Sequence, residues 1–176
     1  MTAAAPSHAA PRTDRRPGVT AIVLTLDEAE HLPGCLATLG FADGVIVVDS
    51  GSRDATCAIA AAAGATVTVH PFVNYSRQRQ HALTLSPTRW VLFVDADERV
   101  PPALADAVRR AVDAGDGDGA VSGYWIPRRN LFWGRALRGG GWWPDRQLRL
   151  LDADRAHFDP DRAVHERAAL DGPSGV

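Results

Sequence analysis

Asp95, Asp97 and Glu98 crowd into four residues directly after the apolar run Trp90-Val91-Leu92-Phe93-Val94. Carboxylates this close repel one another until something positive neutralises them, and a hard divalent cation with oxygen ligands does so. An unbroken apolar run reads as a strand buried on both faces of a parallel sheet, and ligands bind beyond the carboxyl ends of such strands. Spacing alone is weak evidence, because Asp152-Ala153-Asp154 repeats the pattern after Leu148-Arg149-Leu150-Leu151. That copy lies among arginines and reads as a turn between strands. Two other acidic groups share the context of the first copy: Asp27-Glu28 follow the apolar stretch 19–26, and Asp49 follows 45–48.

The elements that must position these acids alternate in type. Strands are expected at 19–26, 45–48 and 66–69, each followed by a helix, at 32–39, 55–63 and 75–85. Pro33 suits the first turn of the first helix and Gly40 its end. Ser52 or Asp54 is expected to cap the second helix, and Gly64 to stop it. A fourth helix is expected at 102–114 and further strands at 123–127, 147–151 and 163–166. Strand–helix alternation implies an α/β fold, a doubly wound, mostly parallel sheet flanked by helices, with a small antiparallel part at the C-terminus. Such a fold brings Asp27-Glu28, Asp49 and Asp95-Asp97 to one rim.

A rim of acids with a cation site and arginines suits a nucleoside diphosphate. Carboxylates accept from ribose hydroxyls and a base N–H, a cation on Asp97 bridges the diphosphate, and Arg79 neutralises the remaining charge. Gly51 lets the backbone of Asp49-Ser50-Gly51-Ser52 approach a ligand closely at a helix start. Capping of the helix is the better reading of Asp54. Trp142 and Trp143, on the glycine-rich stretch 139–141, could stack on a sugar face or join a core cluster with Trp125, Phe132 and Trp133. Arg128 and Arg129 could clamp a phosphate or form a solvated face.

The segments Thr25-x-Asp27-Glu28, Val48-Asp49-Ser50-Gly51-Ser52-x-Asp54-x-Thr56, Gln78-Arg79, Asp95-Ala96-Asp97-Glu98, Pro127-Arg128-Arg129-Asn130, Gly141-Trp142-x-Pro144-Asp145-x-Gln147-x-Arg149-Leu150 and Val164-His165-Glu166 resemble, in this order, family 2 glycosyltransferases of the GT-A fold. The branch they look most like is that of the lipopolysaccharide core β-glucosyltransferases. The resemblance implies metal-dependent, inverting transfer of a sugar from a nucleotide-sugar, with UDP the expected nucleotide, to an acceptor hydroxyl of a cell-envelope glycan or glycolipid. It implies that Thr25, Glu28 and Asp49 hold uridine and that Asp95 holds the ribose or donor sugar. Asp97 would hold Mg²⁺ or Mn²⁺, with His165 at the metal or diphosphate. Asp27, Gly51, Ser52, Gln78 and Arg79 belong to the same donor motifs. The general base would be Glu166, with Asp145 the second candidate. Leu26-Asp27-Glu28 stands where the family has Lys-Asn-Glu. A non-catalytic nucleotide-sugar-binding remnant is the alternative.

Composition narrows the rest. The chain has 176 residues, 45% hydrophobic, and a net charge of −2, which describes one ordinary globular domain without a nucleic-acid-binding tail. All 19 basic residues are arginine. The absence of lysine excludes Schiff-base chemistry, P-loop phosphate binding and the phosphohydrolases of the haloacid dehalogenase type, which also place Asp-x-Asp after an apolar strand but need a downstream lysine. Cys35 and Cys57 fit neither a metal nor a disulfide pattern and read as buried small residues. Residues 1–18, rich in Ala, Pro and Arg, read as a disordered leader rather than a signal peptide. The glycosyltransferase domain is expected over 19–176, incomplete at its C-terminus. The cytoplasm is the simplest location, and peripheral contact with the inner face of the cell membrane is compatible with it.

Overall fold

The computed structural model describes residues 15–114, 121–140, 142–161 and 167–176. The first half is a strand–helix alternation: β1 (Arg16–Thr25), α1 (Leu32–Leu36), β2 (Gly44–Asp49), α2 (Thr56–Ala62), β3 (Thr66–Val69), α3 (Tyr75–Leu85), β4 (Thr88–Asp95) and α4 (Pro102–Asp113). Shorter strands follow: β5 (Gly123–Arg128), β6 (Leu131–Phe132), β7 (Arg135–Ala136), β8 (Asp145–Asp152), β9 (Ala156–Phe158), β10 (Ala168–Leu170) and β11 (Ser174–Gly175). Seven of them form one sheet in the order β11-β5-β8-β4-β1-β2-β3. The run from β4 to β3 is parallel, and β8 lies antiparallel between β4 and β5.

Buried alternation along the strands explains the two-sided core. Val19, Ala21 and Val23 of β1, with Leu92 and Val94 of β4, pack under Leu32 and Cys35 of α1, Ala60 of α2 and Val108 of α4. Ile22, Val91 and Phe93 face the other way, onto Ala82 and Leu83 of α3 and onto Leu151, Ala156 and Phe158. A strand covered on both sides needs apolar residues at successive positions, which is why the runs lack alternating polar residues. Burial pushes the Cys35 thiol up to about 12, so it behaves as the small apolar residue expected; Cys57 is only half-buried.

Several boundaries depart from expectation, three of them for reasons visible in the backbone. β1 starts at Arg16, inside the segment read as a leader, and its pairing with β4 shifts register between Arg16 and Val19, where Gly18 takes φ 124°. Helix α1 stops at Leu36 rather than Leu39. Thr38 returns both its N–H and its hydroxyl to the Cys35 carbonyl (2.9 and 2.7 Å) and Leu39 N–H bonds Leu36 O, so the chain tightens into i→i+3 turns. Gly40 is therefore not its cap. At α2 the N-cap position falls on Ala55, without a side-chain cap; Asp54, one residue earlier, accepts from Thr56 N–H (2.9 Å), whereas Ser52 turns to Asp49, and Gly64 (φ 81°) ends the helix region. The expected strand 163–166 lies outside the described residues, as do residues 1–14.

Candidate functional site

Register brings the separated acids together. Thr25 pairs with Asp49 across β1 and β2, and Leu24 pairs with Asp95 across β1 and β4. Thr25, Asp49 and Asp95 thus stand in a row on the carboxyl rim, with the loops bearing Glu28 and Asp97 immediately beyond.

The loops after β1 and β2 are laced to each other. Asp27 N–H donates to Ser52 Oγ (2.8 Å), Glu28 N–H to Thr56 Oγ1 (2.8 Å) and Ala29 N–H to Asp54, while Asp27 accepts from Arg53 N–H (2.7 Å). Asp27 takes φ 54°, a left-handed backbone an aspartate tolerates better than most residues. Asp49, only 1% exposed, accepts from Thr25 Oγ1 (2.9 Å), from Gly51 and Ser52 N–H, and from Ser52 Oγ. Those four contacts match the lone pairs a carboxylate offers. Burial acts to raise its pKa, but the bonds from Ser52, Gly51 and Thr25 outweigh burial and hold it below the usual carboxylate range. Asp27, Asp49 and Ser52 therefore shape the rim through one another.

Between this lacing and α3 lies a cleft of about 270 Å³ lined by Leu24, Thr25, Leu26, Glu28, Ser50, Phe72, Tyr75 and Gln78. Gln78 is buried, donating to Ser50 Oγ (3.2 Å) and His70 O (3.1 Å), with Oε1 2.8 Å from His70 Nδ1. Phe72 and Tyr75 meet edge to face at 5.0 Å between centroids and are about half exposed. The sequence reading missed both aromatics. Their signal was an aromatic pair flanking Asn74, whose side chain caps α3 by accepting from Arg77 N–H (2.8 Å).

The acidic cluster is neutralised largely by arginine, where a divalent cation was expected to supply the positive charge. Arg149, from the inserted strand β8, grips both oxygens of Asp95 and reaches Glu98 (3.2 Å). Arg79, expected at the diphosphate, instead lies 3.5 Å from Asp95 and over the Phe93 ring. Burial works to raise the Asp95 carboxyl, but Arg149, Arg79 and Arg128 hold it below its ordinary value. Glu98 goes the other way: burial lifts it despite Arg149 and Arg128, and it accepts from Asp95 N–H (3.0 Å). Asp97 differs from both. It is exposed, and no described residue pairs with its carboxylate. Among the described residues no three His, Cys, Asp or Glu side chains converge on one point. A lone hard carboxylate fits an ion that arrives with phosphate oxygens to complete its shell.

Asp145 begins β8 and is held by Arg128 (2.7 Å), Asn130 Nδ2 (3.0 Å) and Gln147 Nε2 (2.6 Å). Burial notwithstanding, Asn130, Gln147 and Arg128 lower its pKa. A carboxylate so occupied is a weak proton acceptor and a firm anchor for Arg128, which also approaches Glu98 (3.7 Å). Trp142 and Trp143 are about half exposed, and Trp133 is 89% exposed, so the aromatic core cluster does not form. His165 and Glu166 lie outside the described residues, as does Gly141.

The comparisons agree with this geometry. The family model described as Glycosyl transferase family 2 matches residues 20–170. The lipopolysaccharide core biosynthesis glycosyltransferase LpsC of Rhizobium meliloti is 29% identical over 167 residues, covering 89% of this chain and 59% of LpsC. An uncharacterized glycosyltransferase of Rickettsia bellii is 37% identical over 91 residues, 51% of this chain and 31% of that one. The chain therefore spans about three-fifths and one-third of these relatives. Among solved structures, residues 1–349 of S. aureus TarS superpose with a TM-score of 0.55 at 21% identity, over 69% of this chain and 38% of that one. Glucosyl-3-phosphoglycerate synthase of Mycobacterium tuberculosis in complex with UDP gives 0.53 at 23% identity, over 65% and 46%. At these identities the structural likeness establishes the GT-A fold.

Proposed function

The chain belongs to glycosyl transferase family 2, and on that premise we propose that it moves a sugar, with inversion, from a UDP-sugar to a hydroxyl of a cell-envelope glycan or glycolipid. The observation that carries the donor half is the 270 Å³ cleft lined by Thr25, Glu28, Phe72 and Tyr75 at the carboxyl rim of the sheet. Its size suits one nucleobase with part of its ribose, and its wall combines two aromatic rings and two leucines with four polar side chains. Phe72 and Tyr75 cover a ring face, and Thr25 and Glu28 meet base or ribose donors. Asp27, Asp49, Gly51, Ser52 and Gln78 keep that wall in shape. The UDP held by the mycobacterial synthase supports the choice of nucleotide, and the name of LpsC supports a glycolipid acceptor.

Asp97 would hold a Mg²⁺ or Mn²⁺, with His165 near it or near the diphosphate. When bound, the ion neutralises the charge that builds on the departing diphosphate. Asp95, fixed by Arg149, orients the ribose or donor sugar. The acceptor oxygen bonds to the anomeric carbon from the face opposite the breaking bond to the diphosphate oxygen, and a carboxylate takes the hydroxyl proton. We assign that base to Glu166, because the lone pairs of Asp145 are engaged. The reaction would take place in the cytoplasm; among the described residues no helix is long and apolar enough to cross a membrane.

Calorimetric titration with UDP, with and without Mn²⁺, tests the donor claim: binding should depend on Mn²⁺ and weaken in Tyr75→Ala. Turnover of a UDP-sugar panel separates enzyme from binding module. Glu166→Gln should bind UDP normally and lose transfer. Transfer that survives Glu166→Gln but is lost in Asp145→Asn would move the base to Asp145.

A further inference from the structure

A second cleft, of about 490 Å³, is lined by Arg129, Ala136, Leu137, Arg138 and Trp143. It is built by the β6–β7 hairpin, whose register pairs Leu131 with Ala136 and Phe132 with Arg135, and is closed by the Leu137 N–H bond to Asn130 O (3.0 Å). Its volume is in the range of small-molecule sites. Its composition separates it from the donor rim. There, Arg79, Arg128 and Arg149 are committed to Asp95, Glu98 and Asp145. Among the described residues no acid lines the wall here, and neither Arg129 nor Arg138 pairs with an acid.

We propose that this cleft binds a sugar carrying an anionic group, a phosphate or a carboxylate, and that it is the acceptor subsite of the transfer reaction; the inference rests on the glycosyltransferase reading. Two guanidiniums present planar donor forks that match either anion, and the half-exposed Trp143 indole offers a face for the C–H side of a sugar ring. Position supports the acceptor role. Arg129 follows Arg128, which ties Asp145 to Glu98, and Trp143 stands two residues before Asp145. The cleft thus borders the acidic rim without sharing its arginines.

The test is calorimetry on the full chain with four probes: glucose, glucose 6-phosphate, glucuronate and inorganic phosphate, each with and without saturating UDP and Mn²⁺. Glucose 6-phosphate, glucuronate or both should bind at least about tenfold more tightly than glucose, and which of the two does so identifies the anion. Binding should persist with UDP bound, and Arg129→Gln/Arg138→Gln should abolish the preference with UDP affinity unchanged. Trp143→Ala should weaken the sugar anions but not inorganic phosphate. Equal affinity for glucose, an unchanged preference in the double variant, displacement by UDP, or phosphate binding as well as its sugar ester would each overturn the proposal. Failure of the UDP titration itself would instead strike the donor reading.

Discussion

The two Asp-x-Asp copies, Asp95-Ala96-Asp97 and Asp152-Ala153-Asp154, share spacing and the small central residue, yet they sit at opposite ends of one strand pair. β8 runs antiparallel to β4, so Asp152 pairs with Trp90 near the start of β4, while Asp95 ends that strand. Five residues of strand put the copies roughly 17 Å apart. At the second copy everything is committed: Asp152, 1% exposed, takes both Arg89 Nε (2.9 Å) and Nη2 (2.7 Å), accepts from Asp154 N–H, and Asp154 pairs with Arg15. At the first copy one acid is clamped and the other is left for solvent or a ligand. The motif acquires chemistry from the direction of its strand and from what remains unpaired.

The contrast can be broken in order of effect. Asp152→Ala strands Arg89 and should cost about 3 kcal/mol, the low end for a broken buried pair because Arg89 is partly exposed. That is a melting temperature lower by about 6–12 °C, with Mn²⁺-dependent UDP binding intact once folded. Asp97→Ala should do the reverse: a melting temperature within a degree or so of the parent, and UDP affinity in Mn²⁺ reduced about a hundredfold, or 2.7 kcal/mol. Asp154→Ala should leave that affinity unchanged, and equal losses would show that the wrong pair was assigned.

Smaller effects sharpen the first copy itself. Arg149 is among the groups holding the Asp95 pKa down, so the ionised Asp95 contributes stability above the ordinary carboxylate range, lost as pH falls through the depressed value. Arg149→Met should therefore move the acid limit of UDP binding upward. Glu98 is raised, so its contribution has the opposite sign: fully present below the unfolded value and lost as pH rises through the folded one. Glu98→Gln should match the parent's stability near pH 4 and exceed it modestly at pH 8. A crossover in the other direction would mean that ionised Glu98 is a net stabiliser.

Much of the scaffold could be read from local pattern. Thr66–Val69 and Tyr75–Leu85 coincide with the expected strand and helix, and the acids converge as the alternation requires, because continuous apolar runs report burial on both faces wherever the rest of the chain lies. What pattern could not supply was long-range partnership. Arg149 lies 54 residues beyond Asp95, and only the antiparallel insertion of β8 makes them neighbours. The available clue was Arg149 inside the apolar run 148–151, since a buried guanidinium needs an acid. For Asp49, ligand contact and capping were both open readings; its bonds from Gly51 and Ser52 N–H fit the local turn, whereas the bond from Thr25, 24 residues away, depends on the pairing of β1 with β2. The length of α1 turned on a hydroxyl, Thr38, returning to its own backbone.

The placement of β8 has a consequence for assembly. A ribosome releases β1 to β4 well before residues 145–152 emerge, and until then the strand bearing Asp95 is a bare hydrogen-bonding margin beside a pair of acids that lack Arg149. The same segment that later covers that margin delivers Arg149. Synthesis thus covers that margin and adds Arg149 to the rim in one event, and a nascent chain arrested before that point would be prone to aggregate.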